Sequence, residues 1–358
     1  MTSSALTGVR VVCMAEQLPG PYATMLLADL GAEVILVERP GSGDPARAFP
    51  AFFGSVGRNK KSIALNAKKP EDHASLMKLI QTADVFLEGY SVGTAERLNI
   101  HYDALRQVND RLIYVSISGF GQTGPNANRK GHDVIFQACA GGLPDDGTHG
   151  GRIPIGDMAA ATHAAFAIST ALFAREKQGK GTYIDVSITD CVASYLSPLL
   201  AAELNNEPQI DVEESPGYGL FKTADGVPFA MGIAHEDSMW RILCDMLNLG
   251  EEVAELDHAQ RVQSRETLRA QVSDGMGRLS YDELSAELDS RKLPWSRVNT
   301  LAEAVMDPQF VQRGMFVQAP EGDDVFLRQP TIYSDYETRI NSGPPVLGQH
   351  QDILGDLK

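Results

Sequence analysis

The first forty residues contain two short apolar runs joined by a helical segment, and this pattern strongly restricts the possible folds. The runs are VRVVCMA at 9–15 and AEVILVE at 32–38, and both are suited to buried strands. Between them a helical segment from Tyr22 to Leu30 is stopped by Gly31. Two strands joined by a helix form a β-α-β unit, which predicts the start of an open α/β sheet.

The same alternation continues along the first half of the chain. Three further strands are predicted by DVFLEGY at 84–90, LIYVSISGF at 112–120 and TYIDVSI at 182–188. Helices are predicted over 95–108 and from Met158 to about Glu176. Residues 1–200 are therefore expected to form a large Rossmann-like domain of the α/β class.

The composition changes after about Leu200. The acidic, proline-containing stretch NNEPQIDVEESPG predicts a linker over 201–217. A smaller α+β domain over 218–305 is predicted by a hairpin signal around Ala224-Asp225-Gly226 and by helical stretches at 237–249, 260–276 and 281–290. A return linker at 306–324 is expected to bring the strand and helix of 325–358 back to the large domain.

Charge and cysteine usage narrow the classes of function. The formal net charge of −16 disfavours nucleic acid or an anionic membrane surface as a partner, although a few local arginines can still hold a phosphate. The four cysteines have no metal-ligand spacing, so no metal site is predicted. Neither a signal peptide nor a membrane span is evident, and a cytoplasmic protein is expected.

Three ionisable side chains stand in an otherwise apolar, glycine-rich region. His132 and Asp133 belong to GHDVIFQACAGG, and Asp157 belongs to RIPIGDMAAATHAAF. Because such groups are costly to bury without partners, they predict a site built on two helix starts. Structural alternatives remain open, since His132 can be a buried histidine that donates to a carbonyl and Asp157 can be a helix N-cap.

A basic cluster lies around the glycine-rich segments ERPGSGD and GRNKKS. Its members are Arg39, Arg47, Arg58, Lys60 and Lys61. The cluster is compatible with a phosphate-binding site or with a solvated loop. A dinucleotide site is disfavoured because the first turn reads LPGPYATM rather than GxGxxG.

Further motifs follow one another in a specific order along nearly the whole chain. They are GVRVV, LPGPYATMLLADLGAEVILVERP, DVFLEGY, LIYVSISGFGQTGP, GHD, QACAG, IGD, GKGTYIDVSITD and the closing LGQHQDIL. This series resembles the class III CoA-transferase (CaiB/BaiF) and α-methylacyl-CoA racemase superfamily. The resemblance implies an interlocked homodimer with active sites between the large domain of one chain and the small domain of the other. It also implies an acyl-CoA substrate, with coenzyme A bound as part of the substrate and no tightly bound cofactor.

The resemblance also assigns the nucleotide end of the substrate to the large domain. The residues expected to bind coenzyme A are Arg39, Arg58, Lys60, Lys61, Leu65, Glu88 and Gly89. Ser91-Val92-Gly93 stands where the family often has Arg-Pro-Gly, so one cationic contact to coenzyme A is expected to be missing.

Asp157 has two alternative tasks in this superfamily. In the racemases the matching aspartate exchanges protons at the carbon beside the thioester, whereas in the transferases it attacks the acyl-CoA and forms a mixed anhydride. The racemase pattern is matched by His132, Asp133, Asp157 and a small-domain Glu236. We therefore predict racemisation of a 2-methylacyl-CoA ahead of CoA transfer to a carboxylic acid. The racemisation passes through an enolate, whose oxygen needs donors such as N–H groups at a helix start. A non-catalytic CoA-binding protein is a third alternative.

Overall fold

The computed structural model describes residues 4–144, 146, 151–208 and 214–357. These residues divide into two compact units. The first unit combines the chain up to Leu200 with the chain from Pro308 onward, and the second unit runs from Ala201 to Asp307. The predicted linker at 201–217 begins inside a helix, because Ser197–Asn205 is helical. Residues 209–213 of that linker lie outside the described residues.

A six-stranded parallel sheet forms the centre of the first unit. Its strands are β1 (Arg10–Cys13), β2 (Glu33–Glu38), β3 (Lys60–Ala64), β4 (Val85–Glu88), β5 (Ile113–Ser118) and β6 (Tyr183–Ser187). The strand order is β3-β2-β1-β4-β5-β6, and Val11 of β1 pairs with both Val34 and Val85. The direction of strand succession reverses between β1 and β4, and such a switch point opens a crevice at the carboxyl ends of the strands.

Helices cover both faces of this sheet. They are α1 (Pro19–Asp29), α2 (Pro50–Gly57), α3 (Pro70–Gln81), α4 (Thr94–Arg97), α5 (Tyr102–Val108), α6 (Asp133–Ala140), α7 (Ile155–Gln178) and α8 (Ile188–Tyr195). The next helix, α9 (Ser197–Asn205), contains the boundary between the two units and has no buried residue. Alternate residues of β1 face opposite layers: Val11 packs with the residues of α1 and α7, and Val12 packs with those of α3 and α5. Because both faces are covered, the inner strands β2, β1, β4 and β5 are the apolar runs expected of a buried parallel sheet.

Three elements of the first unit differ from the sequence prediction. β3 was not predicted, since its sequence KKSIA begins with two lysines and resembles a basic loop. The predicted helix 95–108 is divided into α4 and α5 at Asn99, which adopts a left-handed conformation with φ 52°. The predicted strand near Val325 exists, but it pairs in a separate antiparallel hairpin rather than with the parallel sheet.

The chain after Pro308 contains helix α16 (Pro308–Gln312) and the hairpin strands Phe316–Gln318 and Val325–Leu327. Its last residues form a 3-10 turn at Gln351–Leu354 instead of the predicted α-helix. This turn lies beside β3, where the His350 amide donates to the Ser62 carbonyl at 2.9 Å. The carboxyl end of the chain therefore packs on the first unit.

The second unit combines a small antiparallel sheet with helices. The sheet contains Tyr218–Lys222, Pro228–Gly232 and Trp295–Arg297, and its first two strands form the predicted hairpin. Its helices are α10 (Asp237–Leu247), α11 (Glu251–Ala254), α12 (His258–Gln263), α13 (Arg265–Met276), α14 (Tyr281–Ser290) and α15 (Leu301–Ala304). The predicted helix at 260–276 is interrupted at Ser264, between α12 and α13.

Across the described ranges, no helix has the length and apolar character that a bilayer crossing requires.

Gly181, which lies just before β6, provides a test of the β5–β6 pairing. A Cβ atom at Gly181 would lie 1.9 Å from the Leu112 carbonyl oxygen, so Gly181→Ala must push β6 away from β5. We expect the free energy of unfolding to fall by about 2 kcal/mol in urea titrations. Gly54→Ala is the control, because its Cβ meets nothing within 4 Å and its helical site favours alanine. Equal stability of the two variants would contradict this packing.

Candidate active site

A cavity of about 480 Å³ opens in the first unit at the carboxyl ends of β1, β4 and β5, where the strand order reverses. Its walls are formed by the segment after β1, the turn after β4, the end of β5 and the loop before α6. Phe136, Asp157 and Ile188 complete the lining from three different helices. The cavity thus lies where open α/β sheets bind their ligands.

Asp157 lies in the first turn of α7 and lines this cavity. Burial, followed by the negative charge of Asp133, raises the pKa of the Asp157 carboxyl to about 6, while the charge of His132 acts in the opposite direction. A carboxyl with this pKa is largely ionised at pH 7 and is more basic than an ordinary aspartate. The N-cap of α7 is Pro154, so the alternative interpretation of Asp157 as an N-cap is wrong.

Asp133 fixes the start of α7 from a different helix. Its Oδ1 accepts hydrogen bonds from the amides of Gly156 at 2.8 Å and Asp157 at 3.1 Å. Its Oδ2 accepts from Gln137 Nε2 at 2.5 Å within α6. These two N–H groups at the start of α7 therefore already have an acceptor in Asp133 and are not available to an enolate oxygen.

His132 precedes α6 and contributes to the cavity wall. Its ring is exposed, and among the described residues it makes no hydrogen bond to another side chain or carbonyl. The alternative of a buried histidine that donates to a carbonyl is thus wrong. The fold brings His132, Asp133 and Asp157 together, as the sequence predicted.

Glu236 belongs to the second unit and occupies the N-cap position of α10. Its Oε2 accepts a hydrogen bond from the Ala234 amide at 2.9 Å, and this bond is the main cause that lowers the pKa of Glu236. The carboxylate is therefore held ionised in a local turn, which does not favour the predicted role in a proton relay.

The residues predicted to bind coenzyme A have different environments. Gly89 lines the cavity, and exposed Arg39 forms an ion pair at 3.0 Å with Glu16 of the cavity wall. By contrast, Arg58 is buried in an ion pair with Asp29 at 2.7 Å. Lys60 is also buried, and its Nζ donates to the Pro21 carbonyl at 2.6 Å. Neither buried cation presents its charge to a ligand, so their predicted phosphate contacts find no support in the fold.

The three remaining predicted coenzyme A residues also lie away from the cavity lining. Lys61 pairs with Glu33 at 2.6 Å, at the amino-terminal end of the sheet. Leu65 is part of the apolar core beside α3. Glu88 is the last residue of β4 and is only 3% exposed.

The loop before α6 supplies cations that the sequence interpretation missed. Arg129 and Lys130 line the cavity and are exposed, and no ion pair involves either of them among the described residues. Arg129 lies over the Phe120 ring at 5.8 Å. The sequence does contain a signal for this site, since ANRK directly precedes the GHD motif.

Within the described ranges, no group of three or more His, Cys, Asp or Glu side chains has the geometry to hold a metal ion.

Comparisons with known proteins agree over almost the full chain. The sequence profile of CoA-transferase family III matches residues 6–351. The succinate–glutarate CoA-transferase of Agrobacterium fabrum is 31% identical over 385 residues, which cover 99% of this chain and 96% of that protein. The acetyl-CoA:oxalate CoA-transferase of Acetobacter aceti is 31% identical over 350 residues, which cover 92% of this chain and 89% of that protein.

A solved structure has the same fold. A CaiB/BaiF family protein from Brucella suis superposes with a TM-score of 0.87 at 30% identity, covering 99% of this chain and 100% of that chain.

The electrostatic coupling at Asp157 can be tested by titration. Asp133→Asn removes a negative charge and should lower the pKa of Asp157, whereas His132→Ala removes a positive charge and should raise it. The measurement is ¹³C NMR of carboxyl-labelled aspartate, with the Asp157 signal assigned from Asp157→Asn. The unmodified protein should titrate near pH 6 at this carboxyl. Shifts of the same sign in both variants would contradict the proposed electrostatics.

Proposed function

The chain belongs to CoA-transferase family III and is an enzyme, and on this basis we propose that it moves coenzyme A from an acyl-CoA to a carboxylic acid with Asp157 as the nucleophile. The observation that carries the proposal is the position of Asp157. Its half-buried, basic carboxyl lines the cavity at the switch point of the sheet. A desolvated carboxylate in such a cavity is suited to attack a thioester.

The prediction that racemisation comes ahead of CoA transfer is not favoured. Curated relatives carry the names of CoA-transferases, with succinate, glutarate and oxalate among their acids. Racemisation also needs a free donor set for an enolate oxygen, and the Gly156 and Asp157 amides already donate to Asp133. Both observations support the alternative of a transferase.

The proposed reaction balances without water or a net proton change. The Asp157 carboxylate attacks the thioester carbonyl, so that a C–O bond forms, the C–S bond breaks and CoA thiolate leaves. The thiolate then attacks the Asp157 carbonyl carbon, which releases the first acid as a carboxylate and leaves an Asp157–CoA thioester. An acceptor carboxylate attacks this thioester, and the thiolate returns to the acceptor carbonyl, which regenerates Asp157.

We further propose that the cavity binds coenzyme A through Arg39, Gly89, Arg129 and Lys130. Cations on exposed side chains favour the phosphates of the cofactor by charge-assisted hydrogen bonds. Arg129 and Lys130 line the same cavity as Ser91 and Val92, which stand where the family often has Arg-Pro. The loop before α6 thereby offsets the missing cation after β4.

A short acyl group is the proposed cargo, by analogy with the acids named for the relatives. Cytoplasmic location remains a prediction, as do the expected absence of nucleic-acid partners and the absence of a tightly bound cofactor.

An acceptor-dependence assay tests the transferase proposal. The protein is incubated in D₂O with succinyl-CoA or a 2-methylacyl-CoA, with and without glutarate, and the thioesters are analysed by mass spectrometry. We expect a glutaryl thioester only when glutarate is present, and no acceptor-independent deuterium at the α-carbon. Asp157→Asn should lower kcat by about 10³-fold or more, because it removes the nucleophile.

The matched control is Asp190→Asn, since Asp190 is an exposed aspartate in the first turn of the neighbouring helix α8 and does not line the cavity. Its activity should equal that of the unmodified protein. Deuterium exchange without an acceptor, together with no new thioester, would support racemisation and overturn the proposal. Binding of CoA esters with neither reaction would favour the non-catalytic alternative.

We also propose the homodimer that the resemblance implies. Phe166 and Phe173 lie two turns apart on one side of α7, and they are 72% and 65% exposed. Two large aromatic side chains on one helix face are typical of a surface that a partner covers.

Light scattering during size-exclusion chromatography tests the dimer. We expect twice the mass of one chain, and a lower mass for the Phe166→Glu/Phe173→Glu variant, because two charges cannot be buried unpaired at an interface. Circular dichroism verifies that the variant is folded. A monomeric mass for the unmodified protein at micromolar concentration would contradict the proposal.

A further inference from the structure

We propose that Glu88 is a positioning residue whose buried carboxylate ties together two walls of the coenzyme A cavity, an inference that rests on the proposed function. Glu88 ends β4 at the switch point, directly before the cavity-lining residues Gly89 and Tyr90. Its side chain is buried behind the cavity wall and does not contribute to the lining. Glu88 therefore acts through its neighbours rather than by touching the ligand.

One oxygen of Glu88 holds the wall that follows β4. Its Oε2 accepts a hydrogen bond from the Tyr90 amide at 2.6 Å. This bond fixes the turn in which Gly89, Tyr90, Ser91 and Val92 line the cavity.

The other oxygen of Glu88 is linked through two side chains to a second wall of the cavity, the loop before α6. Ser116 of β5 donates its hydroxyl to Glu88 Oε1, and Gln122 Nε2 donates to the Ser116 hydroxyl at 2.9 Å. Gln122 is further held by its amide, which donates to Asp185 Oδ2 at 3.0 Å. Gln122 lies in the loop that carries Arg129 and Lys130, so the network anchors the stem of the loop that bears the cavity cations.

The electrostatic environment of Glu88 argues against an ordinary structural ion pair. The charges that act most strongly on Glu88 are those of Glu96 and Asp185, and both are negative. Glu88 also acts on the hydroxyls of Tyr90, Tyr114 and Tyr183. No salt bridge of Glu88 occurs among the described residues, whereas Glu38, at the same end of β2, pairs with Arg47 at 2.6 Å. Burial raises the pKa of Glu88 to about 7. A buried carboxyl without a cation is costly, and the hydrogen bonds from the Tyr90 amide and the Ser116 hydroxyl offset part of that cost.

Two substitutions separate hydrogen bonding from charge. Glu88→Leu fills similar space but removes both links, and it leaves the Tyr90 amide and the Ser116 hydroxyl without their acceptor, which lowers stability. Glu88→Gln can keep both links, because its carbonyl oxygen accepts from Tyr90 while its amide donates to the Ser116 hydroxyl. Ser116→Ala cuts only the link toward Gln122 and has little effect on volume.

The readouts are the Kd of free coenzyme A by calorimetry, KM and kcat for CoA transfer, and Tm. For Glu88→Leu we expect Kd and KM to rise about tenfold, with kcat within about twofold, and Tm to fall because two buried donors lose their acceptor. Ser116→Ala should give a smaller rise of about threefold, and Glu88→Gln should stay near the unmodified protein. Asp84→Asn is the control, because Asp84 precedes the opposite end of β4 and pairs with Arg175 there, so it should change Tm but not Kd.

The proposal is overturned if Glu88→Leu or Ser116→Ala binds coenzyme A as tightly as the unmodified protein. It is also overturned if Glu88→Gln is as impaired as Glu88→Leu, since the charge rather than the hydrogen bonds would then be required. A collapse of kcat with Kd unchanged would likewise contradict a positioning role. If the unmodified protein binds coenzyme A but transfers nothing, the proposed function fails while the Kd series still tests Glu88.

Discussion

The hydrogen bonds from the first turn of α7 to the Asp133 carboxylate are the interaction on which the site depends. A helix start leaves amides without partners, and here a carboxylate from α6 accepts two of them. This contact holds Asp157 in the cavity and places a negative charge beside it. The same interaction therefore fixes the position of the proposed nucleophile and adds to its basicity, which burial raises most.

The parallel sheet supplies the rest of the geometry. Because strand order reverses between β1 and β4, the loops after these strands diverge and leave a cavity at their carboxyl ends. The loop before α6 forms the opposite wall and carries Arg129 and Lys130. The cavity thus has the exposed cations Arg129 and Lys130 and the half-buried carboxylate of Asp157 in its lining. This arrangement suits a ligand with phosphates at one end and a thioester at the other.

Much of this arrangement was predictable from local patterns, and the resemblance to class III CoA-transferases is confirmed over the chain. The apolar runs identified five strands of the sheet, and GHD and IGD identified His132, Asp133 and Asp157. The failures have a common physical cause. Arg58 and Lys60 were interpreted as ligand-binding cations, but partners distant in sequence, Asp29 and the Pro21 carbonyl, bury and occupy them. A sequence pattern does not reveal which charges the protein neutralises itself, nor that the first amides of α7 donate to Asp133.

In the proposed reaction, Asp157 becomes covalently linked to coenzyme A during turnover. The most direct measurement is rapid quenching of the protein after mixing with succinyl-CoA alone, followed by mass spectrometry of the intact chain and its peptides. We predict a coenzyme A thioester on the peptide that contains Asp157. This thioester should disappear when glutarate is added and should not form in Asp157→Asn. Turnover with no adduct on that peptide, or with an adduct on another residue, would contradict it.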